Sequence, residues 1–388
     1  MGETYLVEFT APWSIVSRRP GLFDVGVHGP GAEPEASLYP WPPHVAGILA
    51  GLAYEAQWSN EVSGSRECPA ESALEEEFSD TRSCLRRLLG DEYRIYLGMA
   101  RVGSSNGGDD GRVMVLVGDW KLHSIGVVWR ALENAARHLL SGEGVSASSL
   151  SKMFTDILKE DEDAAKPTVF RRVGIALRRG SKTVSEAMLY VQPESFLLDK
   201  RTRAEIRVLA LVESSMTLPV NESRVMRLGA DNKPGVLWFR KDAGAPASFL
   251  YRRLNSNGSR DSCLALLFTI SPTVISGSPT TVEGVMVPGS EGSKHLSESL
   301  LGASGAVDDA EPIPPYLAQV GGSRAKVLSV GWSMARGYLR RPMLVMPPGL
   351  LVPVRLRECS GKSVEKLLRR GVGEHTDLGW GTVMVLLF

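Results

Sequence analysis

The sequence predicts an α+β protein whose antiparallel sheets are covered by helices on one face. Two observations predict this class. Segments rich in β-branched and aromatic residues alternate with segments in which apolar residues recur at helical spacing. The helical segments occur singly between pairs of strand-like segments, an arrangement typical of α+β units. No helical repeat of fixed period is present, so a solenoid is not indicated.

The N-terminal elements follow from this pattern. Residues 4–16 predict an opening strand, and residues 41–56 predict a helix that begins at prolines and continues with apolar residues at helical spacing. Residues 58–84 are rich in Ser, Glu and Gly and are interpreted as an insertion or loop. Residues 93–102 and 111–119 flank a linker of Gly, Asp and Asn, so we expect a hairpin there.

The same reasoning continues to the C-terminus. Helical spacing predicts helices in residues 127–140, 150–163 and 363–370, and a polar turn within residues 173–192 predicts a second hairpin. Residues 276–313 are rich in Gly, Ser and Pro and are interpreted as a loop. The other strand-like segments share runs of Val, Leu and Ile, and they are residues 204–214, 235–240, 263–275, 325–333, 349–358 and 381–388.

Composition excludes some classes of protein. The 388 residues include 44 basic and 44 acidic side chains, so any attraction for an anion has to come from local clusters. The four cysteines form no C-x-x-C pair, and neither a zinc site nor a disulfide framework is indicated. No signal peptide or membrane-spanning segment is recognised, so we expect a cytoplasmic protein without a membrane, metal or cofactor requirement.

Four glycines stand close together just before the last predicted strand. They are Gly371, Gly373, Gly379 and Gly381. The order helix, glycines, strand fits neither a Walker A motif nor a dinucleotide fingerprint, in which glycines open a helix. One interpretation is an open main chain that an anion approaches closely, with charge from Arg369 and Arg370 and further contacts from His375 and Thr376. The alternative is a helix cap with arginines that complement the helix dipole.

Basic clusters provide further candidate contacts for RNA. Arg171, Arg172, Arg178, Arg179 and Lys182 lie in the predicted second hairpin, with no acidic residue between positions 171 and 182. A positive hairpin tip suits a sugar-phosphate backbone, although an isolated basic run is also typical of a solvated turn.

Two more groups belong to this set. Arg336, Arg340 and Arg341 surround Tyr338, a mixture that suits single-stranded nucleic acid, although Tyr338 is equally compatible with the core. The pair Arg18 and Arg19 is included among the candidate RNA contacts.

Catalytic interpretations are weaker. Asp109 and Asp110 lie in the segment NGGDDG, which is compatible with a Mg²⁺ site but is better explained as a turn. The six histidines are dispersed, and no Ser or Cys has a recognisable nucleophile context. His28 or His44, paired with a lysine, would serve as general base in a metal-independent RNA nuclease. His44 stands at a helix start, where a structural role is favoured. We therefore predict no catalytic residue.

Several segments resemble the RAMP proteins of CRISPR systems. The segment LYPWPPHVAGILAGLAY is similar to their proline-rich entry into the first helix, and VGIALRRGSKTVSEAMLYV resembles their central hairpin. MRLGADNKPGVLWF resembles their turn into a strand, and GVGEHTDLGWGTV resembles their final glycine-rich loop. VGWSMARGYLRRPMLVMPPGLLVPVRL is similar to the group that binds the 5′ tag of the guide, the third subunit of the type III-B Cmr effector complex.

The resemblance implies a fold in two ferredoxin-like (RRM-related) βαββαβ halves with antiparallel sheets. The first half would span residues 1–200, and the second residues 201–388. The accompanying features would be insertions near 55–90 and 103–111, a basic hairpin near 171–192, a loop insertion near 276–313 and a glycine-rich loop at 371–381.

The resemblance also implies a function. Its members are non-catalytic subunits that hold the 5′ tag of the CRISPR RNA and contact the large polymerase-like subunit and an adjacent backbone RAMP subunit. The four glycines would form the RNA-facing loop, and the hairpin arginines would touch RNA or a neighbouring subunit. The acidic stretch within 69–80 and the linker at 106–111 have no counterpart in the family. The alternative is a RAMP endoribonuclease that processes precursor CRISPR RNA.

Overall fold

The computed structural model describes residues 3–11, 42–58, 77–103, 111–118, 121–142, 145–177, 184–218, 220, 222–228, 233–241, 246–254, 263–275, 291–321, 325–329, 332–333 and 338–388. The α-helices in these residues are α1 (Pro42–Trp58), α2 (Ser79–Leu89), α3 (Ile125–Leu140), α4 (Ala147–Lys159), α5 (Ala247–Leu250), α6 (Glu291–Ala303) and α7 (Gly361–Arg370). Short 3₁₀ turns occupy Ala306–Asp308 and Thr376–Leu378.

The strands of the N-terminal part are β1 (Glu3–Thr10), β2 (Arg94–Val102), β3 (Arg112–Val117), β4 (Lys121–Ser124), β5 (Pro167–Leu177), β6 (Val184–Asp199), β7 (Ile206–Ser214), β8 (Ser223–Leu228) and β9 (Lys233–Lys241). Those of the C-terminal part are β10 (Tyr251–Arg253), β11 (Leu264–Thr269), β12 (Thr273–Ile275), β13 (Ala310–Pro312), β14 (Ala318–Gln319), β15 (Lys326–Ser329), β16 (Trp332–Ser333), β17 (Tyr338–Leu339), β18 (Pro342–Met346), β19 (Leu350–Leu356) and β20 (Val383–Leu387).

A seven-stranded antiparallel sheet forms the first half, in the order β4-β3-β2-β7-β1-β9-β8. Its strands alternate between two faces because successive side chains of a strand point in opposite directions. Tyr5, Val7 and Phe9 are buried in one core with apolar residues of α1 and α2. Tyr96 and Met99 belong to a second core with α3, α4 and the other sheet. The sheet is therefore covered on both faces over part of its area.

The second half is a complete ferredoxin-like unit. Its chain order is β11, α6, β13, β19, α7 and β20, and its sheet order is β20-β11-β19-β13, antiparallel throughout. This arrangement interleaves two βαβ units, as in the βαββαβ motif. Strand β10 adds to the edge of the sheet parallel to β20. Phe268 of β11 stacks on Phe154 of α4 with ring centroids 4.8 Å apart, which joins the two halves.

The first half has the same sheet order in a modified form. Strands β2, β7, β1 and β9 are adjacent in that order, and α1 lies between β1 and β2 in the chain. Strand β8, which lies between β7 and β9 in the chain and pairs with β9, takes the place of the second helix of the motif. The elements from β3 to β6, including α3 and α4, are inserted between β2 and β7. The predicted α+β class with antiparallel sheets is confirmed.

Several sequence predictions need correction. Residues 206–241 belong to the first sheet, so sheet membership changes between residues 241 and 251 and not near the predicted boundary at 200. Helix α2 lies within the segment interpreted as an insertion, and α6 and β13 lie within the predicted loop 276–313. These elements were missed because their segments are polar. Their buried faces are narrow, with Leu85 and Leu89 on α2 as examples.

Two further observations concern the cysteines and membranes. Cys263 and Cys359, 96 residues apart in the sequence, are joined as a disulfide with their Cα atoms 5.3 Å apart. The absence of a C-x-x-C pair had indicated no disulfide, and that expectation is wrong for this pair. Their meeting depends on the antiparallel pairing of β11 and β19, which spacing in the sequence does not reveal. Among the described helices, none has both the length and the apolar character that a bilayer crossing requires.

Candidate nucleic-acid interface

The four C-terminal glycines have left-handed backbone conformations. Their φ angles are +63° at Gly371, +82° at Gly373, +93° at Gly379 and +55° at Gly381. Residues with a Cβ rarely adopt these angles, so the conformation explains why glycine occupies the positions. The segment from Gly371 to Thr382 is called the glycine turn below.

The glycine turn is packed against the protein's own atoms. A Cβ added at Gly371 would lie 2.6 Å from the carbonyl oxygen of Gly381, and one at Gly379 would lie 2.6 Å from the Leu97 side chain. At Gly373 and Gly381 the added atom would collide with the carbonyl oxygens of Val274 and Val372. The expectation of an open main chain at these glycines is therefore wrong. Glycine occupies these positions because other segments of the same chain lie where a Cβ would be.

Backbone hydrogen bonds tie the glycine turn to both halves. The N–H of Gly373 donates to the carbonyl of Leu300 (2.9 Å), and that of Gly381 donates to Pro272 (2.8 Å). On the other side, the N–H of Leu97 in β2 donates to the hydroxyl of Thr382 (3.0 Å). The turn is a structural joint between the first sheet and the second half.

The polar residues of the glycine turn contact α2 and the strand next to it. Arg82 donates two hydrogen bonds to Asp377, of 2.7 and 2.9 Å, and its Nη2 lies 3.1 Å from Nδ1 of His375. Burial raises the pKa of Asp377, but the hydrogen bonds and charge of Arg82 outweigh burial and hold that pKa below its ordinary value. The His375 ring packs edge-on against Phe78, with centroids 5.0 Å apart. The roles predicted for His375 and its half-buried neighbour Thr376 in RNA binding stay predictions.

Arg340 is also engaged within the protein. It is only 7% exposed, and its Nη2 lies 2.9 Å from each carboxylate oxygen of Asp80. Its guanidinium lies 4.6 Å from the ring centroid of Phe78, and its Nη1 lies 3.5 Å from Glu77. The acidic stretch that had no family counterpart thus supplies partners for a predicted RNA contact. Arg340 is therefore buried and paired in this conformation, and its predicted contact with RNA stays a prediction.

Other predicted RNA contacts are placed only in part. Arg171 and Arg172 lie on β5, which pairs with β6 in a separate two-stranded sheet, and Tyr338 lies on β17. Arg341 is exposed. The predicted contacts outside the described residues are Arg18, Arg19, Arg178, Arg179, Lys182 and Arg336.

Arg369 and Arg370, by contrast, line an open cleft of about 380 Å³ beside the glycine turn. The rest of its lining is Glu92, Tyr93, Arg94, Lys366 and Asp377. Helix α7 supplies the cations of one wall, and the start of β2 supplies the other. This cleft is called the junction cleft below, because its lining residues come from both halves.

Ion pairs hold the arginines of α7 in place. Arg369 donates to Glu213 (2.8 Å), and Arg370 donates to Asp309 (2.7 Å). Lys366 lies 3.4 Å from the same Asp309 carboxylate, so two cations share it. Burial lowers the pKa of Arg369, but Glu213 more than offsets this and holds that pKa above its ordinary value. The cleft therefore presents cations whose orientations are fixed by ion pairs.

Sequence reasoning missed five of the seven lining residues, namely Glu92, Tyr93, Arg94, Lys366 and Asp377. Tyr93 precedes β2 and Arg94 begins it, and Lys366 lies one helical turn before Arg370. The spacing of Lys366 and Arg370 was a usable signal because residues four apart share a helix face. Nothing in the sequence indicated that Arg94 would lie beside them.

A second group of arginines surrounds a buried carboxylate on the first sheet. Glu8 of β1 is 0% exposed and lies 3.0 Å from Arg101, 3.9 Å from Arg207 and 3.9 Å from Arg240. Arg207 also lies over the ring of Trp238, 5.6 Å from its centroid. Strands β1, β2, β7 and β9 each contribute to this group, which therefore links them electrostatically.

The residues considered for catalysis give no assembled site in the described part of the chain. Burial lowers the pKa of His44 to about 4, so its imidazole is neutral and weakly basic at pH 7. His28, Asp109 and Asp110 lie outside the described residues. Within the described residues, no group of three or more His, Cys, Asp or Glu side chains is placed to hold a metal ion.

Comparison with known proteins extends the description. No family model matches the sequence, and no curated protein matches it significantly. A chain of a type III-B Cmr-beta complex bound to cognate target RNA and AMPPnP is 14% identical, with a TM-score of 0.51 over 98% of this chain and 99% of that one. A chain of Cmr-beta bound to cognate target RNA is 15% identical, with a TM-score of 0.51 over 99% and 98%.

A third solved structure, of a RAMP protein binding different RNA substrates, is 14% identical and covers 76% of this chain and 100% of that one. Its TM-score of 0.22 is too low to support an argument. The two Cmr-beta likenesses show that this chain shares a fold, from end to end, with a chain found in those complexes.

Proposed function

We propose that this chain is a non-catalytic RNA-binding subunit of a type III-B CRISPR RNA-guided effector complex in antiviral defence. The observation that carries the proposal is the fold likeness to a chain of RNA-bound Cmr-beta, which spans 98% of this chain and 99% of the other. Such a likeness over whole chains is what two subunits with the same place in an assembly would have, although fold alone does not imply function.

The finer role follows from the sequence resemblance. In this proposal the chain holds the 5′ tag of the CRISPR RNA and bridges the large polymerase-like subunit and an adjacent backbone RAMP subunit, within a cytoplasmic ribonucleoprotein. The junction cleft supplies the charge for the RNA backbone, because Lys366, Arg369 and Arg370 line it and remain partly exposed. The glycine turn lies beside the cleft and contributes Asp377 to its lining.

The test is co-purification of the untagged native protein, followed by sequencing of the RNA and identification of the proteins that accompany it. We expect CRISPR RNA with an intact 5′ tag, together with a large polymerase-like subunit and backbone RAMP subunits. Isolation of the protein alone, or with RNA that lacks guide sequences, would contradict the proposal.

The absence of catalysis is tested separately. Purified protein is incubated with labelled repeat RNA in the absence of metal, beside His28→Ala and His44→Ala variants. We expect no specific cleavage by any of the three proteins, since His44 is a weak base in this structure. Site-specific cleavage that either variant abolishes would identify a precursor-processing endoribonuclease instead.

A further inference from the structure

Arg94 is a buried cation, and two of its three donor nitrogens are not used within the described chain. It begins β2, is 6% exposed and lines the junction cleft. Its Nε and Nη2 atoms are buried, and neither has a hydrogen-bond partner among the described residues. A buried guanidinium normally has every donor satisfied, because an uncompensated buried charge is costly.

The carboxylates nearest to Arg94 are committed to other arginines. Glu213 lies directly across the sheet from Arg94, but it accepts its hydrogen bond from Arg369. Asp377 is held by two hydrogen bonds from Arg82. The remaining described contact of Arg94 is a cation–π contact with Tyr96, whose ring centroid is 5.7 Å from the guanidinium carbon. The local partners of Arg94 are therefore weak.

The main chain is shaped to hold the guanidinium where it is. A Cβ added at Gly371 would lie 2.8 Å from Nη2 of Arg94, so a side chain at position 371 would push the arginine away. Gly371 ends α7 in a left-handed conformation, and the absence of a side chain there leaves room for Arg94. The cations of α7 therefore lie next to Arg94.

The surrounding charge favours an anion in the cleft. Lys366 and Arg370 share one carboxylate, Asp309, and the exposed Asp308 lies 3.8 Å from Arg370. Arg94 has no ion pair in the described residues. Asp377, a carboxylate of the lining, is neutralised from outside the lining by Arg82. Burial lowers the pKa of Arg94 to about 10, although Tyr96, Asp377 and Glu213 each act to raise it and offset burial only in part. An anion between the two walls would offset the remaining cost of burying this charge.

We propose that the junction cleft is a phosphate-binding site in which Arg94, Lys366 and Arg370 bind one phosphate group. A phosphate matches this lining because it accepts several charge-assisted hydrogen bonds at once, from a guanidinium fork and from an ammonium point charge. The group belongs to the bound RNA strand, a step that rests on the proposed function, or to a small soluble phosphate. The site itself depends on neither source.

The test uses the full-length protein and inorganic phosphate at constant ionic strength, with binding followed by calorimetry. We expect saturable binding by the wild type, at least about tenfold weaker binding by Arg94→Met and about threefold weaker binding by Lys366→Gln. Lys159→Gln on α4 is the control, since this lysine is exposed and lies outside the cleft, and it should bind as the wild type does. Lys366 is 60% exposed, so its variant folds even if Arg94→Met does not.

Two further arms separate the sources of the phosphate. A short RNA is compared with and without a 5′-phosphate, and a nucleoside monophosphate is titrated alone. Tighter binding of either phosphorylated probe, lost in Arg94→Met, supports the site and identifies the source. Equal phosphate binding by the wild type and Arg94→Met would overturn the site, as would binding of an acidic peptide by the wild type without phosphate binding.

The outcomes distinguish the site from the proposed function. Phosphate binding that requires Arg94, in a protein that co-purifies without RNA, keeps the site and rejects the RNA-binding role. RNA retained equally by the wild type and Arg94→Met, without phosphate binding, keeps the role and rejects the site.

Discussion

Two buried charges in the same sheet have opposite surroundings. Glu8 of β1 is fully buried and lies within 4 Å of three arginines from three neighbouring strands. Arg94 of β2 is almost as deeply buried, yet the carboxylates beside it bind Arg369 and Arg82. The difference teaches how to separate a structural charge from a site. Among the described residues, neither the Glu8 oxygens nor Nε and Nη2 of Arg94 have a hydrogen-bond partner, so the two groups differ in charge compensation. The charge of Glu8 is compensated by arginines of the chain, whereas Arg94 has no ion pair there and is available to an anion.

The glycine turn resembles Glu8 because its close contacts also come from the protein itself. Its glycines are close to another chain segment, and that segment is the protein's own. A cluster of glycines in a sequence indicates close approach to the backbone without indicating what approaches. Only the packing decides between a ligand and an internal contact.

The largest expected effect would break the joint that places α7 beside Arg94. Gly381→Ala combines a left-handed φ of +55° with a collision against the Val372 carbonyl. We expect the free energy of unfolding to fall by about 4 kcal/mol, measured by denaturant titration. Gly302→Ala is the matched control, because nothing lies within 4 Å of its added Cβ. A similar, small effect of both substitutions would contradict the packed turn.

The next effect tests the compensated charge. Glu8→Gln removes the negative charge from the group of Arg101, Arg207 and Arg240, and the free energy of unfolding should fall by about 3 kcal/mol. Glu298→Gln, an exposed carboxylate of α6, should change it by less than about 0.5 kcal/mol. Equal effects of the two substitutions would show that Glu8 does not hold the strands together.

His44 of α1 is half-buried and avoids a charge in the folded chain by losing its proton. The pKa of His44 is about 4 in the folded chain against an ordinary value of 6.5, so the unfolded chain binds the extra proton between these values. Stability from His44 is fully present above pH 6.5 and is lost as the pH falls towards 4, by about 3 kcal/mol. His44→Gln should remove this part of the pH dependence. Parallel pH profiles of the variant and the wild type would contradict the assignment.

The smallest expected change in the free energy of unfolding, that of Arg94→Met, distinguishes Arg94 from Glu8 most clearly. Arg94→Met keeps an unbranched stem and removes an uncompensated buried charge, so without phosphate the free energy of unfolding should stay constant or rise by about 1 kcal/mol. Thermal unfolding in a phosphate-free buffer measures it. A loss as large as that of Glu8→Gln would mean that Arg94 is compensated by the chain after all.

The comparison also explains how far the sequence predicted this molecule. The α+β class, the first hairpin and helices α3, α4 and α7 follow from periodicity, since burial of one face dictates the spacing of apolar residues. Helices α2 and α6 have polar sequences, and only the tertiary packing specifies them. Of the predicted contacts, Arg369 and Arg370 lie in a cleft, whereas Arg340 is buried against an acidic stretch 260 residues away in the sequence. Arg94 joins them through a chain reversal that no local pattern encodes.

The central claim is that the junction cleft, and not the glycine turn, contacts the RNA backbone. The most direct measurement is the dissociation constant for guide RNA at about 0.1 M salt, for the wild type, for Arg94→Met/Lys366→Gln and for the control Lys152→Gln/Lys159→Gln, which removes the same charge from the exposed side of α4. The account predicts about tenfold weaker binding by the cleft variant, with a shallower salt dependence, and nearly unchanged binding by the control. Equal affinities of the two variants would contradict it.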